Sequence, residues 1–314
     1  MGQHMLSGLK MTIEAHSYID ALHGILSHKG WTFWPKPMLS GLTAAAFRFV
    51  VNRRLTPESP TAYNWIAENF LAADFIGITS SQQAGFSFDA TFPLYREDAI
   101  SVIKRSLDRS TGAVLWKDGF VIVTGYNDDS GVLYYSDGSG DDCKTMSYAE
   151  FGLNKSPYWY YQVFEDRIEL DEWEMIKESL LQAVYKWESH DFMLPETDYA
   201  CGRQAYDAFI HALRTGDYDR TGAWEVLRCY AASKRQIGLY AEMIRDRTVE
   251  SGGIADQYAV VARLFQSMLD TGGQADRLVS LLVEAQDAEE KVIQSIKRLL
   301  RETIDNRYGD VSLR

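Results

Sequence analysis

The chain has 314 residues, of which 46% are hydrophobic and 24% charged, and a formal net charge of -12 at pH 7. That length accommodates two domains, each with its own core, and the composition is that of a globular protein. The acidic balance excludes partners that need a basic surface, nucleic acid and anionic membranes alike. No apolar run reaches the roughly 20 residues that span a bilayer, and the opening residues MGQHMLSGLK lack the apolar core of a signal peptide. Cys143, Cys201 and Cys229 are scattered and fit neither a metal-ligand spacing nor a disulfide framework. With no GxGxxG, P-loop lysine, HExxH or EF-hand spacing, the expectation is a cytoplasmic protein that carries no cofactor and no metal.

Ser17–Lys29 places Tyr18, Ala21, Leu22, Ile25 and Leu26 at helical spacing, with Ser17 as the N-cap and Gly30 as the stop. Trp31 to Pro37 reads as an aromatic loop broken by proline, and Leu39–Phe49 as a short helix rich in small residues. A helix over Asn64–Ala72 and a strand over Phe75–Ile78 follow. Arg96–Arg109 is amphipathic, with Ala99, Ile100, Ile103 and Leu107 on one face. The stretch Thr111–Asp137 reads as three strands, Ala113–Trp116, Phe120–Gly125 and Val132–Ser136, with the turn residues Asn127–Gly131 between the last two. Ser156–Phe164, dense in aromatics, adds a further strand.

From about Asp171 the apolar period changes from 2 to 3.6. Helices are predicted over Glu172–Trp187, Gly202–Leu213, Thr221–Arg245 (capped by Thr221), Ala255–Leu269 and Asp276–Ile304. Gly252-Gly253 and Gly272-Gly273 are read as the stops between them. Antiparallel helices joined by short loops make a bundle. The predicted fold class is therefore α+β: an antiparallel sheet with helices over residues 1–166, followed by an all-α helical bundle over 167–314.

Several of these stretches resemble a known family. Ser17, Ala21-Leu22, Ile25-Leu26 and Gly30 match the spacing that follows the nucleophilic Cys of papain-like cysteine peptidases and acyltransferases. The strand ending Gly125-Tyr126-Asn127-Asp128 and the strand ending Ser136-Asp137 are similar to the catalytic half of those proteins. More narrowly, HSYIDALHGILSHKG…LSGLTAAAFRF, the run Gly202–Leu213 and the final helix with Ala285, Glu289-Glu290 and Leu299-Leu300 resemble the butirosin-biosynthesis acyltransferase family, over most of the chain. The resemblance implies a papain-like sheet in the first domain. It implies a nucleophile at the start of the first helix, a His six residues before Gly125, and an Asp that orients the His. Those positions hold Ser17, Gly119 and Asp137 here, and the second Gly of the small-residue segment is Ala44.

In that family the helix dipole lowers the pKa of a capping Cys, whereas a serine hydroxyl near neutral pH is inert without a base. The resemblance then implies a catalytically degenerate protein of bacterial specialised metabolism that binds a small molecule, an acyl group or a protein partner, a carrier protein among them. The competing expectation is an active acyltransferase or amide or thioester hydrolase that uses Ser17. His16 is adjacent to Ser17 and His23 six residues on, and neither spacing aims an imidazole at the cap, so an N-cap is the plainer role for Ser17. Asp137 without its His is a turn residue. Asp128-Asp129 and Asp141-Asp142 lack regular cation-ligand spacing and read as solvated turns. Trp31, Phe33, Trp34 and Trp116 are the candidate lining of an apolar ligand pocket, against the alternative that they are core. A homodimer through the bundle is a third, structural reading.

Overall fold

The structure, a computed structural model, describes residues 2–14, 17–140 and 143–307, without the side chains at 17, 249, 250 and 302–307. In chain order its elements are β1 (Gln3–Met5), α1 (Ser17–Lys29), α2 (Lys36–Leu42), β2 (Val50–Asn52), α3 (Trp65–Asp74), β3 (Ile78–Phe86) and α4 (Phe92–Asp108). Then come β4 (Ala113–Trp116), β5 (Phe120–Asn127), β6 (Val132–Ser136), β7 (Lys144–Ser147) and β8 (Tyr158–Arg167). The chain continues with α5 (Glu172–Glu188), β9 (Tyr199–Cys201), α6 (Arg203–Thr215), α7 (Arg220–Met243), α8 (Val249–Leu269) and α9 (Ala275–Arg307). The fold is α+β, with a seven-stranded antiparallel sheet.

The chain forms two compact units, Met1–Lys36 with Trp65–Glu169, and Pro37–Asn64 with Leu170–Arg314. A single break at residue 166 does not describe this division, because residues 37–64 belong with the helices. β2 pairs antiparallel with β9, Val50 opposite Cys201. The Tyr230 hydroxyl donates to Val50 O (2.7 Å) and accepts from Val50 N (2.9 Å), and Ser233 Oγ donates to Ala46 O (3.0 Å). These partners lie about as far along the chain as a whole domain, beyond the reach of any local pattern.

In the first unit the strand order is β3-β8-β4-β5-β6-β7. β4 and β1 share one edge of β5, β4 along Phe120–Val123 and β1 along Gly125–Asn127. Gly125 fits this crowded point because a Cβ there would stand 2.5 Å from His4 O. Both faces of the sheet are covered, so β5 reads as one apolar run rather than an alternation. Along β8, Trp159 packs on Phe92 and Tyr95 of α4, whereas Tyr160 packs on Trp65 of α3 and on Phe120. Successive residues thus serve opposite faces. α1 lies on the Phe120 face, where the Tyr18 and Phe120 rings meet edge-on at 5.5 Å. A Cβ on Gly24 would stand 2.7 Å from Ile122 Cδ1 and 2.9 Å from Lys10 O.

In the second unit, α7 is capped by Asp219, not Thr221: its carboxylate accepts from Thr221 N (2.9 Å) and Gly222 N (3.0 Å). Gly252-Gly253 lie inside α8, which starts at the Thr248 cap, so they are not stops. Leu39–Phe49 is α2 followed by a 3-10 turn at Ala45–Phe47, with Ala44 left-handed between them at φ 58°. The core of this unit contains a full ion pair. Lys234 Nζ of α7 stands 2.5 and 2.7 Å from the Glu289 carboxylate of α9, and the Tyr206 hydroxyl of α6 donates to the same carboxylate at 2.5 Å. The Phe49 and Phe265 rings stand 5.2 and 5.8 Å from the ammonium. Among the described residues, no helix is long and apolar enough to cross a membrane.

Removing one partner of such a pair leaves an uncompensated buried charge. Glu289→Ala is expected to cost about 3–5 kcal/mol, and the double change Lys234→Met with Glu289→Leu to recover most of it. Chemical denaturation of the three proteins checks this. A double variant no more stable than Glu289→Ala contradicts it.

Candidate functional site

Three positions carry the sequence-based expectation, and the topology brings them to one end of β5. Tyr18, in the first turn of α1, packs on Phe120, the first residue of β5. Gly119 immediately precedes Phe120 in a tight β4–β5 hairpin, where Lys117 N donates to Gly119 O at 2.7 Å and Asp118 is left-handed at φ 59°. Ser136, the last residue of β6, stands opposite Ile122, and Asp137 follows it. The side chain of Ser17 lies outside the described residues, as do His16 and Asp141-Asp142.

At Gly119 a Cβ would meet nothing within 4 Å. The position therefore has room for a side chain and holds none. Asp137 is fully engaged in its own turn. Its Oδ1 accepts from Ser139 N (3.1 Å) and Ser139 Oγ (2.8 Å), and its Oδ2 from Lys144 Nζ (2.5 Å). Partial burial raises its pKa, but the bonds from Lys144 and Ser139 together outweigh that and hold it at about 2.

The charges gathered at this end of α1 are ones the sequence did not single out. Asp20, 1% exposed, pairs with Lys36 at 2.8 Å and accepts from Glu14 N at 2.8 Å. Lys36 Nζ also donates to Thr12 O (2.5 Å) and stands 3.4 Å from the Glu14 carboxylate. Burial raises the Asp20 pKa, opposed by the Lys36 and Glu14 N–H bonds. His23, one turn on, meets Trp34 O at 3.1 Å, and burial holds its imidazole below the ordinary range. Met11 N donates to Ser136 Oγ at 3.1 Å. The strand of chain entering α1 is thus fixed on one side to the end of β6 and on the other to α1 itself. One sequence signal points to this: Asp20 lies among the apolar residues Ile19, Ala21 and Leu22 of a predicted helix, and a carboxylate on an apolar face needs a partner. That the partner is Lys36, between Pro35 and Pro37, is not visible locally.

The four aromatic residues are not brought together. Phe33 is 92% exposed. Trp31 follows the C-terminal end of α1, its N–H donating to Leu26 O at 2.8 Å and its carbonyl accepting from Arg167 Nη1 at 3.0 Å. Trp34 donates through its backbone N–H to Thr32 Oγ1 at 3.1 Å. Trp116 packs on Trp65 (4.4 Å) and Phe120 (5.0 Å), near the opposite end of α1. A helix of this length spans about 20 Å, so Trp31 and Trp116 do not share a pocket wall. The aromatic cluster that does form joins Trp116 and Phe120 to Trp65, Tyr158, Tyr160 and Tyr18.

No protein-family model matches the chain, and a search of the curated proteins returns no match.

Because the folded Asp137 titrates below its ordinary 3.8, it contributes stability above about pH 4, and that contribution is lost as pH falls toward about 2. Lys144→Met is expected to move the Asp137 titration up toward 3.8 and to flatten this acid limb. Carboxyl NMR titration of both proteins checks it. An unchanged Asp137 titration in the variant contradicts the assignment.

Proposed function

We propose that this protein is a catalytically degenerate relative of papain-like acyltransferases of the butirosin-biosynthesis type, and that it binds a small molecule or acyl group rather than transferring one. The observation that carries this reading is the pairing of an empty base position with an occupied orienting position. Gly119 offers no imidazole, and the Asp137 carboxylate is taken by Ser139 and Lys144. Acyl transfer needs a nucleophile within hydrogen-bond reach of a base. Neither Lys36 nor His23 fills that role: Lys36 is committed to Asp20, Glu14 and Thr12 O, and one nitrogen of His23 to Trp34 O. A carrier protein that presents the acyl group, and a second copy of the chain, are the protein partners this reading admits.

The purified protein, given an acyl thioester and an activated ester, is expected to release no thiol or alcohol above the buffer rate, with Ser17→Ala indistinguishable from it. Turnover that disappears in Ser17→Ala overturns the reading.

A further inference from the structure

The helical unit contains a cavity of about 440 Å³, within the size range of small-ligand sites. Phe209 and Leu213 of α6, Trp224 and Leu227 of α7 and Leu278 of α9 supply apolar walls, and Gly272-Gly273 form part of its rim. Phe209, Leu213, Leu227 and Leu278 are buried, so the walls are fixed by the bundle itself. Two polar side chains also line it, Tyr218 from the α6–α7 connection and Arg220 from the start of α7. Among the described residues neither the Tyr218 hydroxyl nor the Arg220 guanidinium has a hydrogen-bond or ion-pair partner. Arg228, one turn beyond Trp224, places its guanidinium over that indole, 5.6 Å from the ring centre.

A second cavity of the same unit makes the contrast. It is lined by Arg203 and Glu290 among others, and there the charges satisfy each other: Arg203 Nε stands 3.7 Å from Glu290, which also accepts from Trp187 Nε1 at 3.0 Å. In a chain of net charge -12, a cation left without a carboxylate beside the apolar walls of this cavity is a site for an anion with an apolar body. A guanidinium and a carboxylate match as planar, two-point partners, and the phenol adds a donor.

We infer that this cavity binds an organic carboxylate with an apolar tail, its head on Arg220 and Tyr218 and its tail between Phe209, Leu213, Leu227 and Leu278. The site lies wholly in the helical unit and stands independently of the reading of the sheet unit.

Calorimetric titration of the full chain with decanoate and with decanol, both below their aggregation concentrations, tests this. Decanoate is expected to bind about tenfold more tightly than decanol, a difference of about 1.4 kcal/mol. Arg220→Gln, on an exposed residue, is expected to bring decanoate to the level of decanol and to leave decanol unchanged. Ala275→Trp, which fills the cavity, is expected to weaken both, and Ser17→Ala to change neither. Equal affinity for acid and alcohol, or decanoate binding that survives Arg220→Gln or Ala275→Trp, overturns the proposal.

Discussion

A buried carboxylate must find a cation or give up its charge, and the candidate site of this protein is arranged around that constraint. Asp20 sits in a helix turn with no exposed face, and Lys36, the backbone of Glu14 and the carbonyl of Thr12 close around it. Two stretches of chain on either side of α1 are held to its first turns by one ion pair. Desolvating both charges is costly, and the ion pair, the Glu14 N–H on Asp20 and the Thr12 carbonyl on Lys36 together offset part of that cost. The helical unit repeats the device with Lys234 and Glu289, where Tyr206 and the rings of Phe49 and Phe265 complete the surroundings. In each unit a charged pair ties one helix to another element.

This has a consequence for function. The end of α1 is where a papain-like enzyme would keep a nucleophile close to an imidazole. Here the polar groups near it are used for holding the chain. Asp137 stabilises its own turn through Ser139 and Lys144, and Gly119 turns a hairpin. The cation without such a commitment to which the helical cavity draws attention, Arg220, is suited to hold a ligand and not to react with one.

The parts of the fold legible in the sequence are those fixed by local periodicity. The helices from Glu172 onward follow from their apolar stripes, and β4, β5 and β6 from apolar runs separated by turn residues. β3, read as the four residues Phe75–Ile78, runs instead over Ile78–Phe86, because ITSSQQAGF is a half-exposed edge strand with little apolar alternation. Gly252-Gly253 read as a stop because glycine weakens helices by about 1 kcal/mol each, yet the Thr248 cap and the buried Ile254, Tyr258 and Val261 carry α8 through. Membership of residues 37–64 in the helical unit rests on β2 pairing with β9 and on Tyr230 and Ser233, which no window on the sequence contains. The candidate site divides in the same way. Ser17, Gly119 and Asp137 are singled out only by the family resemblance, whereas the Asp20–Lys36 pair and the Trp65–Trp116–Phe120 cluster arise from folding.

The most direct measurement is the surroundings of the Ser17 hydroxyl in a crystal structure at a resolution that fixes side-chain rotamers. The account predicts that Oγ, on the first residue of α1, has no imidazole, amine or carboxylate within hydrogen-bond reach. A histidine or other base donating to or accepting from Oγ would contradict it, and would make the site a working nucleophile.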